Sequence, residues 1–112
     1  MRIYKILPGA DWDNARAQLS YAGSEVDRAD GFIHFSTAAQ AQETAARHFR
    51  GQAGLVVLEI EAGDLEEALK WEPSRGGSLF PHLYGALDPN LVRCVTEAPL
   101  DPDGVPLIGE LP

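Results

Sequence analysis

The spacing of apolar positions changes several times along the chain, and each change predicts an element. Positions 3–7 (Ile3, Tyr4, Lys5, Ile6, Leu7) are β-prone and stop at Pro8-Gly9, which predicts a first strand. Trp12, Ala15 and Leu19 then recur at i, i+3 and i+7 behind Asp11, a good N-cap, so a helix is predicted over about 12–20 with these three side chains inward. Positions 21–31 are polar and read as loop. A short strand is predicted over 32–35. Thr37-Ala38-Ala39-Gln40 has the spacing of a capping box that opens a second helix, with Ala38, Ala41, Ala45 and Phe49 inward and Gly51 closing it.

Leu55-Val56-Val57-Leu58-Glu59-Ile60 is the strongest strand signal, and its apolar start on both faces predicts a central position. A short helical turn over 64–69 is capped by Asp64, and Trp71-Glu72 before Pro73 is extended, because the residue ahead of a proline disfavours helix. Positions 73–78, with Gly76-Gly77, read as a flexible loop. Two further strands are predicted over 79–83 and 91–96. From Pro99 onward four prolines and two glycines predict an irregular tail, 99–112, lying on the surface.

At 112 residues the chain is long enough for one domain, 1–112, with a hydrophobic core and no disulfide framework. The net charge of −8 opposes nucleic acid or an anionic membrane as a partner. Cys94, the single cysteine, lies in an apolar run and is expected to be a buried, inert thiol. No secretory h-region follows Met1 and no run approaches membrane-spanning length, so a cytoplasmic location is expected.

Two segments carry the candidate chemistry, Gly31-Phe32-Ile33-His34-Phe35-Ser36-Thr37 and Leu79-Phe80-Pro81-His82-Leu83-Tyr84-Gly85. In an extended chain Phe32, His34 and Ser36 form one file and Phe80, His82 and Tyr84 another, each setting an imidazole beside an aromatic ring and a hydroxyl. Such a grouping suits a small-molecule or catalytic pocket. Each residue also has a plainer reading. His34 and His82 fit half-buried histidines bonded to backbone, Ser36 and Thr37 fit helix capping, and Tyr4, Phe80 and Trp71 fit the core. Glu72 is either an exposed carboxylate or an acid, base or ribose acceptor, and Arg75 is either solvated or an anion clamp. HExxH, paired CxxC, GxGxxG and P-loop patterns are absent, and no metal site is expected.

GFIHFST, LVVLEIE, the KWE element and LFPHLYGAL, in that order, resemble the domain-of-unknown-function 952 family over nearly the whole chain. The resemblance implies a bacterial α+β domain of the ADP-ribosyltransferase-like fold. Such a fold has a bent, split mixed or antiparallel sheet, two main helices, and a cleft that holds NAD in active enzymes. Carried over residue by residue, it places Lys5, His34, Ser36, Glu72, His82 and Tyr84 in the pocket. The family's first-strand motif typically has histidine where Lys5 stands, and a lysine keeps anion affinity but loses acid–base range at neutral pH.

Three readings follow. In the first, the cleft binds a nucleotide-like or other small anionic ligand through Lys5, the helix start at Thr37 and Gln40, Arg75 and the aromatics Tyr4, Phe80 and Tyr84. In the second, an ADP-ribosyltransferase-like enzyme cleaves NAD with His34, Glu72 and His82 as catalytic residues. In the third, a non-enzymatic protein-interaction domain has structural histidines; under any of the three the chain is expected to be a monomer or weak homodimer.

Overall fold

The structure is a computed structural model that describes residues 1–74 and 77–109. In chain order its elements are β1 (Arg2–Pro8), α1 (Gly9–Gln18), α2 (Glu25–Asp30), β2 (Ile33–His34), α3 (Ala38–His48), β3 (Leu55–Glu61), a 3-10 segment (Ala62–Ala68), β4 (Leu69–Pro73), β5 (Leu79–Leu83), a 3-10 turn (Pro89–Leu91) and β6 (Val92–Ala98). The strands form two three-stranded sheets, β1-β3-β6 and β2-β5-β4, rather than one mixed sheet, and all their pairings are antiparallel. Among the described residues one bridge ties β1 to the segment just after β2: the Tyr4 N–H donates to the Ser36 carbonyl at 2.8 Å, and the Ser36 N–H returns the bond at 2.8 Å. No helix among the described residues is long and apolar enough to cross a membrane.

The first sheet is apolar on both faces, which is why β3 alternates so little. On one face Ile3, Leu7, Leu58 and Ile60 pack with Trp12 and Ala15 of α1 and with Ile33 and Leu83 of the second sheet. On the other, Tyr4, Ile6, Leu55 and Val57 meet Ala41 and Ala45 of α3 and Ile108 of the tail. Full burial of one such leucine or isoleucine contributes about 1.5–3 kcal/mol, so the two faces together anchor the fold.

Several expectations are corrected. Helix α1 begins at Gly9, behind Pro8 as N-cap at φ −60°, because proline's fixed φ suits the residue that leads into a helix. Asp11 therefore lies in the first turn, and Leu19 closes the helix in the left-handed region and is exposed. The segment 21–31 is not plain loop: Ser24 and Asp27 form a capping box for α2. Ala38 is exposed at the start of α3, while Ala41 and Ala45 point inward as expected. Cys94 is exposed, on a strand along which Arg93 to Glu97 are all exposed and only Ala98 is buried. The described tail is irregular yet docked, with Pro106 and Ile108 buried and Gln42 of α3 holding the Pro106 carbonyl and the Ile108 amide.

Candidate functional site

Antiparallel pairing of β2 with β5 sets His34 directly opposite His82. The two apolar histidine segments are thus brought together, and Phe32 links them. Its ring stacks on His82 at 4.1 Å between centroids, tilts against His34 at 4.6 Å and meets Tyr84 at 5.3 Å. The two imidazoles stand edge to face at 5.5 Å.

A carboxylate fixes each ring through Nδ1. Asp27 Oδ1 lies 2.6 Å from His34 Nδ1, and Glu72 Oε1 lies 2.9 Å from His82 Nδ1. Such a bond orients the imidazole and leaves Nε2 as the nitrogen for other partners. His34 Nε2 meets Asp30 at 3.0 Å across a half-exposed rim, whereas His82 is buried and its Nε2 has no partner among the described residues.

Asp27 is the hub of the site. Its Oδ2 accepts from Lys5 Nζ at 2.8 Å and from the Ser24 N–H at 2.9 Å, and its Oδ1 accepts from the His34 N–H at 3.2 Å as well as the ring. Only a carboxylate has lone pairs enough for four donors. Burial alone would push the Asp27 carboxyl up, but the His34 bond, the Lys5 charge and bond, and the Ser24 amide together hold it well below the usual carboxylate range. Lys5 is equally buried, and loss of solvent pushes its ammonium down against the raising effect of Asp27. A depressed carboxylate contributes stability that is present above its unfolded value of about 3.9 and is lost as pH falls through the folded value. Urea unfolding is therefore expected to show a flat stability above about pH 5 and a falling limb below about pH 4 that Asp27→Asn makes shallower.

His34, His82, Lys5, Ser36, Tyr4 and Phe80 all line one cleft of about 680 Å³. Lys5 stands there as the partner of Asp27 and not as a free anion anchor. Ser36 Oγ pairs with Thr44 Oγ1 at 3.1 Å. Tyr4 is a core residue, and burial together with the adjacent Glu59 carboxylate pushes its phenol up. Glu72, Tyr84, Thr37 and Gln40 do not line the cleft. Glu72 lies behind His82 and also accepts from the Tyr84 hydroxyl at 2.7 Å, two bonds that lower its carboxyl. Thr37 and Gln40 cap each other, and Gln40 Nε2 donates to the Leu79 carbonyl at 2.8 Å. The start of α3 is thus closed by its own side chains. Arg75 lies outside the described residues.

The sequence reading missed Asp27, Asp30 and Tyr21, all in a stretch taken for loop. The Ser24-x-x-Asp27 spacing is the signal that would have found the first of them. No group of three or more histidine, cysteine, aspartate or glutamate side chains suited to a metal ion occurs among the described residues.

The family model described as "Protein of unknown function (DUF952)" matches residues 6–95. Protein CC0527 from Caulobacter crescentus is similar throughout. Its crystal structure is 58% identical, with a TM-score of 0.95 over 97% of this chain and 96% of that one. Its solution NMR structure, also 58% identical, gives a TM-score of 0.87 over 96% and 93%. None of the curated proteins matches the chain.

Proposed function

The chain belongs to the DUF952 family, and from the geometry above we propose that its cleft is a small-molecule site in which His34 and His82 contact the ligand. The observation that carries this reading is the facing pair of imidazoles, each pinned at Nδ1 by a carboxylate, with His82 Nε2 left unpartnered at the cleft. A carboxylate at Nδ1 fixes the orientation of an imidazole and leaves Nε2 for a further partner, and here both rings carry one. The volume is in the range of ligand pockets, and Phe80 and the two imidazole rings supply flat walls.

The nucleotide-like ligand suggested by the sequence fits this volume. Two of the anchors expected for its anionic part are engaged elsewhere, since Lys5 is neutralised by Asp27 and the α3 N-terminus is capped by Thr37 and Gln40. Cleavage of NAD in an ADP-ribosyltransferase-like cleft would place Glu72 at the reacting centre, and Glu72 faces His82 and Tyr84 instead. NAD and ADP-ribose remain in the test as ligands, beside nucleosides and nicotinamide.

Thermal-shift and calorimetric titration of this set against the protein and His34→Ala provides the test. A ligand present at a hundred times its Kd stabilises by about 2.7 kcal/mol, which is readily seen as a melting shift. His34→Ala removes one of the four donors to the buried Asp27 carboxylate and is expected to cost about 1–3 kcal/mol while remaining folded, and its ligand affinity is expected to fall at least ~10-fold. A wild type that binds none of the set would leave the histidines a structural role and favour the protein-interaction reading.

A further inference from the structure

Tyr21 anchors the segment ahead of α2 by pairing its backbone with Leu87, and its side chain is only 6% exposed. Its hydroxyl is nevertheless the one fully buried side-chain polar atom among the described residues with no hydrogen-bond partner, whereas His82 Nε2 is not itself fully buried. A buried, unsatisfied hydroxyl costs about 1–3 kcal/mol, so this one has a bond to offer to a group that enters the cleft. Tyr21 lines the same cleft as His34 and His82.

The charge around that hydroxyl is mostly negative, with the Arg28 guanidinium the one cation that acts on the phenol against the carboxylates. Four carboxylates line the cleft, Asp11, Glu25, Asp27 and Asp30, against Lys5 as the single lysine or arginine among the described lining residues. Lys5 and Asp27 neutralise each other. Asp30 meets His34, while Asp11 and Glu25 make no ion pair among the described residues. Burial first, then the Asp27 and Asp11 carboxylates, push the Tyr21 phenol up, which places both carboxylates within electrostatic reach of its oxygen. A phenol oxygen and nearby carboxylates offer acceptors to a cation and repel an anion. Phe49, Phe80 and the imidazoles add aromatic surface of the kind that seats an ammonium or the flat body carrying it.

On the reading of the cleft as a small-molecule site, we propose that its ligand is a small cation, a primary amine on an aromatic body, whose ammonium donates to Tyr21 Oη and the Asp11 carboxylate. The body lies against Phe80 and the histidines, and His82 Nε2 meets the polar group at its far end. The ligand therefore differs in sign from the anion expected from the sequence.

The test compares matched bodies of opposite charge. Tyramine and 4-hydroxyphenylacetate are titrated calorimetrically into wild type, Tyr21→Phe and Asp11→Asn. Tyramine is expected to bind at least ~10-fold more tightly than the carboxylate, and each variant to lose at least ~5-fold of that affinity. Tyr21→Phe also removes the orphan hydroxyl, so its ligand-free melting temperature is expected to equal or exceed that of wild type, which separates lost binding from lost folding. Equal or tighter binding of 4-hydroxyphenylacetate would overturn the cationic assignment and leave the small-molecule site standing. Failure of both probes, with a nucleoside or NAD binding in the preceding experiment, would also overturn it. Full retention of tyramine affinity in Tyr21→Phe would remove the phenol from the site.

Discussion

Asp27→Ala is expected to cost about 3–5 kcal/mol and to lower the melting temperature by roughly 12–20 °C, the penalty for removing one partner of a buried ion pair and leaving the other in place. Lys5 is 6% exposed and its ammonium would face an emptied space in the apolar face of β1. The same substitution strips the α2 capping box of its reciprocal bond and frees the His34 ring from its orienting partner. Lys5→Met is expected to cost less, about 1–3 kcal/mol, because Asp27 keeps the Ser24 amide and both His34 donors. Paired thermal and urea unfolding of the two variants checks the order. Equal losses, or an Asp27→Ala protein that melts within a few degrees of wild type, would show that Asp27 is not the hub.

The second large effect comes from a residue without a side chain. Gly23 adopts φ +103°, and an added Cβ would lie 2.7 Å from Asp27 Cβ and 3.3 Å from Ile33 Cγ1. Gly23→Ala is expected to cost about 1–3 kcal/mol through the backbone conformation alone, and the contact with Asp27 adds to it. Relief of that contact moves the carboxylate away from Lys5 and His34. The variant should therefore lose ligand affinity as well as stability, although Gly23 itself touches no ligand. A melting curve superimposable on wild type would contradict this placement.

Much of the fold is visible in the residue pattern, and the reasons are local. β1, β3 and β5 announce themselves because apolar runs end at proline or glycine, and α3 because Thr37 and Gln40 stand at capping distance. The matched aromatic neighbours of His34 and His82 mark both segments in the sequence, but that the two strands pair with these residues opposite is visible only in the structure. What the pattern concealed depends on contacts distant in sequence. α2 is only six residues long with no apolar stripe, so its capping box was the single available signal. Lys5 and Asp27 lie 22 positions apart, and an alternation of strand residues cannot reveal that a lysine facing the core has a carboxylate waiting for it. The orphan state of the Tyr21 hydroxyl is likewise a property of the packed interior and has no trace in the sequence.

The same contrast explains why Cys94 and Leu19 were misplaced. Cys94 lies in an apolar run and Leu19 on a helical apolar spacing, yet one falls on an uncovered strand and the other on a left-handed helix end, where exposure follows from topology and backbone and not from hydropathy. Glu72, expected as an acid, base or ribose acceptor, takes a supporting place in the reading proposed here for a related reason. Its position on β4 points it at His82 and Tyr84, so it orients the ring that faces the cleft.

The most direct test of the central claim is a two-dimensional NMR titration that observes the histidine ring nitrogens and the Tyr21 amide while nucleosides, NAD, ADP-ribose, tyramine and 4-hydroxyphenylacetate are added in turn. The account predicts that at least one of them shifts the His34 and His82 rings and Tyr21 together, saturably, and that His34→Ala abolishes the response. Ring signals unmoved by every compound, or saturable shifts confined to surfaces remote from β2 and β5, would contradict it.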